Sequence, residues 1–144
     1  MKFTPSDPPR LFNVGQEAII KLKDCGRIEL LPDEQVTFTT ESGGEYDVVR
    51  KSWGFYATPS VNRRLPTFGL YAAIVKSPGG RTYLWLVEKG KEKEFQAYAA
   101  LERQKVICWL DTDEKIEALE VLLSDMGEGE RAKEAAAIAT KPPF

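Results

Sequence analysis

The chain contains no histidine. Any general acid or base acting near neutral pH would have to be a carboxylate, lysine, cysteine or tyrosine displaced from its ordinary pKa, so the composition points to binding rather than catalysis. Cysteine is nearly absent too. Cys25 and Cys108 stand far apart, show no C-x-x-C spacing and have no imidazole to complete a zinc set. No metal site, no cofactor and no disulfide framework is therefore expected, and both cysteines read as buried free thiols. Long apolar runs are missing as well: no window approaches the roughly 18 residues of a membrane span, and the N-terminal residues lack the apolar stretch of a secretory signal. The expectation is a cytoplasmic protein with no membrane partner.

A local absence says more. Between Asp47 and Glu88, 40 residues pass without an Asp or Glu, yet they hold Arg50, Lys51, Arg63, Arg64, Lys76 and Arg81. This stretch carries +6 in a chain whose net charge is −2, so charge is segregated by segment. The same stretch holds Trp53, Phe55, Tyr56, Phe68, Tyr71, Tyr83 and Trp85. Aromatic rings beside cations are what stacking combined with anion contact requires.

What surrounds this stretch reads as one domain. A chain of 144 residues with 42% apolar content is large enough to build its own core. Pro5, Pro8 and Pro9 deny regular structure to residues 1–10, so 1–17 is expected as an irregular strap. Ile20 and Leu22, then Ile28 and Leu30, alternate with charged residues and predict two short strands around a turn at Asp24-Cys25-Gly26. Two hairpins follow, 36–40 with 45–50 across Glu41-Ser42-Gly43-Gly44, and 70–76 with 81–88 across Ser77-Pro78-Gly79-Gly80. The period lengthens to that of a helix over 91–103 and shortens again over 105–110. That order permits either a crossover or an antiparallel return. A further helix over 112–126 is capped by Asp111 with Glu114, carries a stripe of Ile116, Leu119, Leu122, Leu123 and Met126, and stops at Gly127. The expected class is α+β: a curved, mainly antiparallel sheet or partly open β-barrel with two covering helices over 1–127, followed by an acidic, alanine-rich tail over 128–144.

The segment 51–66 fits neither period and joins the two hairpins, and long connections of ordinary complexity tend to carry function. It is expected to form the rim of a cleft. Arg63 and Arg64 would fork onto a phosphate or carboxylate with Lys51 as a further cation, Trp53 or Tyr56 would lie against a ring, and Asn62 would recognise a hydroxyl. The competing reading makes Trp53, Phe55 and Phe68 core and pairs the arginines with Glu117, Glu120 and Asp125. Three functions follow. The leading one is a non-catalytic binding or accessory module for an anionic small molecule containing a sugar or nucleotide, acting through residues 48–87. The second is a histidine-free sugar-modifying or hydrolytic enzyme using Asp24, Asp47 or Glu45. The third is a protein-interaction or structural subunit, with a protein partner engaged through 52–68 or the tail. Nucleic acid ranks below a small ligand, because no named nucleic-acid module is present.

Overall fold

The computed structural model describes residues 1–17 and 19–125, with the isolated positions Gly129, Lys133, Ala137, Lys141 and Pro142. The strands are β1 (Lys2–Val14), β2 (Ile20–Glu29), β3 (Gln35–Thr39), β4 (Glu45–Lys51), β5 (Gly54–Thr58), β6 (Leu70–Lys76), β7 (Thr82–Glu88) and β8 (Lys105–Trp109). The helices are α1 (Arg64–Thr67), α2 (Glu92–Leu101) and α3 (Asp113–Asp125). The class is α+β with mainly antiparallel sheets, as the alternation implied. The strands lie in three open, curved sheets ordered β1-β2, β3-β4-β5 and β7-β6-β8, with no closed barrel among the described residues. Met1–Asp111 form one compact unit and Thr112–Phe144 another.

The core of the first unit is built around β6. Its sequence is almost continuously apolar, as a strand covered on both faces must be, and Ala72, Ala73 and Val75 are completely buried. On one face Leu65, Leu70 and Ala72 pack with Tyr46, Val61, Leu86 and Leu110. Burial there pushes the Tyr46 hydroxyl above its ordinary pKa. On the other face Trp85, paired across the ladder with Ala73, meets Phe95 and Tyr98 of α2, and Phe95 meets Trp109 edge-on. The small side chains of β6 leave room for these large rings. Both β7 and β8 run antiparallel to β6, so they are parallel to each other and α2 crosses from one to the other with β6 between them. That decides between the two connections the sequence leaves open.

A polar clamp joins the β3-β4 hairpin to this sheet. The hydroxyls of Thr40 and Ser42 both donate to Oε1 of Glu88 at 2.5 Å, and these bonds hold the Glu88 carboxyl below its usual pKa, Ser42 contributing most. Close by, the Glu45 N–H donates to the Phe68 carbonyl at 3.0 Å and the Lys89 N–H to the Gly69 carbonyl at 2.8 Å. Gly44 is closely approached here, since a Cβ would stand 3.0 Å from Thr40 Oγ1 and 3.3 Å from Leu70.

The N-terminal segment departs from expectation. Residues expected as an irregular strap form β1, a 13-residue strand paired along β2. Pro8 and Pro9 are tolerated because the register breaks between Pro5 and Arg10, so they fall where no ladder bond requires their missing N–H. The expected turn at Asp24-Cys25-Gly26 is also absent, since β2 runs through it. Gly26 lies opposite Pro5 with φ 152°, and a Cβ there would stand 2.6 Å from the Thr4 carbonyl oxygen. The glycine serves close approach of two strands and not chain reversal. Cys25 is exposed, because a two-stranded ribbon leaves most of its surface to solvent. The ribbon's far end is held: the N–H groups of Gln16 and Glu17 donate to the buried carboxylate of Glu102 at 2.7 and 3.3 Å, and Arg103 pairs with Glu17 at 2.9 Å.

The segment 51–66 contains a strand and a helical turn, β5 and α1, where a long irregular connection was expected. In the second unit, Thr112 Oγ1 accepts the Lys115 N–H at 3.2 Å and caps α3, a role the sequence pointed to Asp111 for. Ile116 and Leu119 are half-buried, whereas Leu122 and Leu123 are exposed. Met126, Gly127 and, apart from the isolated positions, the tail over 128–144 lie outside the described residues. No described helix is long and apolar enough to cross a membrane.

Truncation of fully buried Leu65 to Ala is expected to cost about 2–5 kcal/mol in urea unfolding, whereas Trp53→Ala should cost less than about 0.5 kcal/mol. Equal losses would show that the core is not where Leu65 packs. The Glu88 clamp has a definite pH sign. A carboxyl with a lowered folded pKa stabilises above its unfolded value, and that stability is lost as pH falls through the folded value. A carbon-13 titration of Glu88 should therefore show a midpoint below 4.5, moving toward 4.5 in a Thr40→Ala/Ser42→Ala protein. An unmoved midpoint would show that the two hydroxyls do not hold the carboxylate.

Candidate anion-binding cleft

The β4-β5 hairpin sorts its side chains by alternation. Arg50 pairs with Phe55, and Val49 with Tyr56, while Lys51 faces Gly54 at the closing turn. Arg50 and Phe55 therefore share one face, and Lys51 and Tyr56 share the other. The Arg50 guanidinium lies 5.5 Å from the centre of the Phe55 ring and donates to the Gly54 carbonyl at 3.5 Å. Those contacts hold a half-buried cation in place.

The base of the β1-β2 ribbon is sorted in the same way. Lys2 pairs with Glu29 and Thr4 with Arg27, so all four project from one face of the ribbon. With Ile28, Leu30, Arg50 and Phe55 they line a cleft of about 570 Å³. Lys2, Arg27 and Arg50 face a single carboxylate, Glu29. Among the described residues none of these three cations has a carboxylate within ion-pair distance. Cations left unpaired at the wall of a concave site attract oxyanions, and the arginines add paired donors suited to phosphate or carboxylate.

The residues that the sequence grouped into one rim are divided by the fold. Trp53 and Tyr56 do come together, with ring centres 6.3 Å apart and planes 20° from parallel. Lys51 sits beside them on the hairpin face opposite Arg50, ion-paired with Asp33, which pushes its pKa up. Trp53 and Phe55 are exposed, at 69% and 60%, and so do not serve as core. Arg63 and Arg64 are exposed on the chain that leaves the opposite end of β5, and Asn62 just before them is half-buried. The Arg64 guanidinium lies 5.6 Å from the Phe68 ring, and Phe68 is bonded to Glu45 at the start of β4. The length of β4 therefore separates Arg64 from Lys51, roughly 20 Å at strand rise.

Lys2, Arg27 and Phe55 were missed by sequence reasoning, along with the role of Arg50. Parity along β4 and β5 could have paired Arg50 with Phe55, but nothing local indicates that an N-terminal lysine meets them. The carboxylates considered for catalysis lie apart from this cleft. Asp24 pairs with Arg10 at 3.4 Å, Asp47 accepts the Thr37 hydroxyl at 2.6 Å, and neither they nor Glu45 lines it. Among the described residues no three Cys, Asp or Glu side chains gather as a metal set. No protein-family model, no curated protein and no solved structure matches the chain.

Proposed function

We propose that the chain is a non-catalytic binding or accessory module for an anionic small molecule that carries a sugar or nucleotide, held in the cleft between the ribbon base and the β4-β5 hairpin. The observation that carries this reading is the convergence of Lys2, Arg27 and Arg50, all without ion-pair partners among the described residues, on one concave surface. Its volume of about 570 Å³ suits a ligand of that size. Arg27 and Arg50 meet the oxyanion, Lys2 adds a flexible point charge, and exposed Phe55 offers a face to the ring. Lys51, Trp53 and Tyr56, on the opposite hairpin face, and Asn62, Arg63 and Arg64, beyond β5, form the alternative placement of the same activity. We assign the activity to the cytoplasm, where exposed Cys25 stays reduced.

Calorimetric titration with glucose 6-phosphate, uridine monophosphate, pyrophosphate and inorganic phosphate tests this. At least one organic phosphate should bind more tightly than inorganic phosphate, and binding should weaken as salt is raised. Arg27→Ala and Arg50→Ala should each weaken it roughly tenfold or more, as expected for loss of a charge-assisted hydrogen bond. The Arg63→Ala/Arg64→Ala protein should bind as the parent does. Loss of binding in that protein, with retention in the Arg27 and Arg50 variants, would move the site to α1. Absence of binding by all four probes would remove the anion reading.

A further inference from the structure

The ribbon carries its unpaired charge on one side. Pairing sets Lys2 opposite Glu29, Thr4 opposite Arg27, Leu11 opposite Lys23 and Asn13 opposite Lys21, and alternation along β2 puts Lys21, Lys23, Arg27 and Glu29 on one face. Among the paired residues of that face, four cations stand with a single carboxylate. The opposite face is apolar, with Phe3, Phe12, Leu22 and Ile28, and its cation is neutralised. Arg10 pairs with Asp24 at 3.4 Å and lies 5.0 Å from the centre of the Phe12 ring. Lys21 and Lys23 are exposed and, like Lys2 and Arg27, have no carboxylate within ion-pair distance among the described residues. Cations kept apart from counter-charge leave a positive field over their face of the ribbon.

This row is continuous with the anion cleft. Arg27 lines the cleft with Lys2 and Arg50, and Lys23 and Lys21 lead from it toward the ribbon tip, with exposed Cys25 as a gap in the row. Successive positions on one strand face are roughly 7 Å apart, close to the separation of phosphates along an extended nucleic-acid strand, and Arg27 to Lys21 spans roughly 20 Å. The row stops at the tip. A second cleft, of about 610 Å³, lies there between Gln16, the rings of Tyr83, Trp85 and Tyr98, and Gln104. Its lining has one cation, Arg81, and one carboxylate, Glu102, so it does not extend the positive track.

We infer that the anionic ligand is a single-stranded nucleic acid, with one nucleotide in the anion cleft and the phosphates that follow it along Lys23 and Lys21. The inference rests on the reading of the first cleft as an anion site and extends its ligand from one nucleotide to a strand. Lysine and arginine along a path that tracks the backbone, with an aromatic ring for a base, are the elements of single-strand binding. Exposed Phe55 offers its ring to an unpaired base. A duplex has its bases already stacked, and an inorganic polyphosphate has none. Thr4 and Asn13, on the same face, add neutral donors for phosphate oxygens.

The test is calorimetric titration of the intact chain with uridine monophosphate, with oligo(U) and oligo(dT) of about eight nucleotides, with a duplex of the same length and with inorganic polyphosphate. At least one single-stranded oligomer should bind roughly tenfold or more tightly than uridine monophosphate, and the slope of log affinity on log salt should steepen by about 1.4, as two further phosphate contacts require. The Lys21→Gln/Lys23→Gln protein should lose both gains while binding uridine monophosphate unchanged. Both lysines are exposed, so the variant keeps the fold. Phe55→Leu should weaken oligomer binding roughly tenfold and leave polyphosphate unaffected. Oligomers that bind no more tightly than the mononucleotide, or equally well to the double-lysine variant, would overturn the track while the cleft reading stands. Tighter binding of the duplex or of polyphosphate than of either oligomer would overturn the assignment to a single strand. Failure of mononucleotide and oligomers alike would remove the nucleotide cleft and this proposal with it.

Discussion

The hold of Glu102 on the ribbon tip is the constraint on which the placement of the ribbon depends. A carboxylate that is only 2% exposed must be met by donors, and the main-chain N–H groups of Gln16 and Glu17 supply two. Glu102 follows the last residue of α2, whose rings are packed on β7 and β8, so the donors are drawn to a rigid position. The ribbon is long, and its base contributes Lys2 and Arg27 to one cleft while its tip contributes Gln16 to the other. The base has a tie of its own, the Met1 ammonium group on Glu34 at 2.9 Å, and without such attachments a two-stranded ribbon has little to define where it lies, since isolated hairpins are marginal in water.

The two clefts differ in chemistry. The first is a cation-lined recess with an aromatic edge, where strong charge-assisted bonds to an oxyanion would dominate. The second is charge-balanced, with Arg81 and Glu102, and walled by the rings of Tyr83, Trp85 and Tyr98. Both draw on the acid-free stretch, the first through Arg50 and Phe55 and the second through Arg81, Tyr83 and Trp85. Exclusion of carboxylates over 40 residues thus confines the acids of β4 and β7 to their ends at Glu45, Asp47 and Glu88, away from the residues these strands give to the clefts. The carboxylates that do appear, Glu29 and Glu102, come from outside it.

Much of the fold is legible in local sequence. The hairpin turns at Glu41-Ser42-Gly43-Gly44 and Ser77-Pro78-Gly79-Gly80, the helix around Phe95 and Tyr98 and the apolar strand before Trp109 all appear where periodicity and turn chemistry put them. The failures have specific causes. Three prolines argued against a strand over 1–10, yet Pro5 pairs with Gly26 and the register break after it accommodates Pro8 and Pro9, and a break in pairing exists only once the partner strand is in place. Gly26 looked like turn chemistry because glycine serves both reversal and close approach, and only the opposing Thr4 carbonyl distinguishes the two.

The sequence by itself determined the α+β class, the two central hairpins and the concentration of cations and rings over 48–87, because these follow from side-chain period, glycine placement and composition. Tertiary structure alone decided which of those cations and rings meet. Alternation turns Lys51 and Tyr56 to one side of the hairpin and Arg50 and Phe55 to the other, and the length of β4 carries Arg64 away from both. The partners that complete the clefts, Lys2 and Arg27 in one and Gln104 in the other, come from segments distant in sequence. Their proximity arises from long-range packing, which no local pattern encodes.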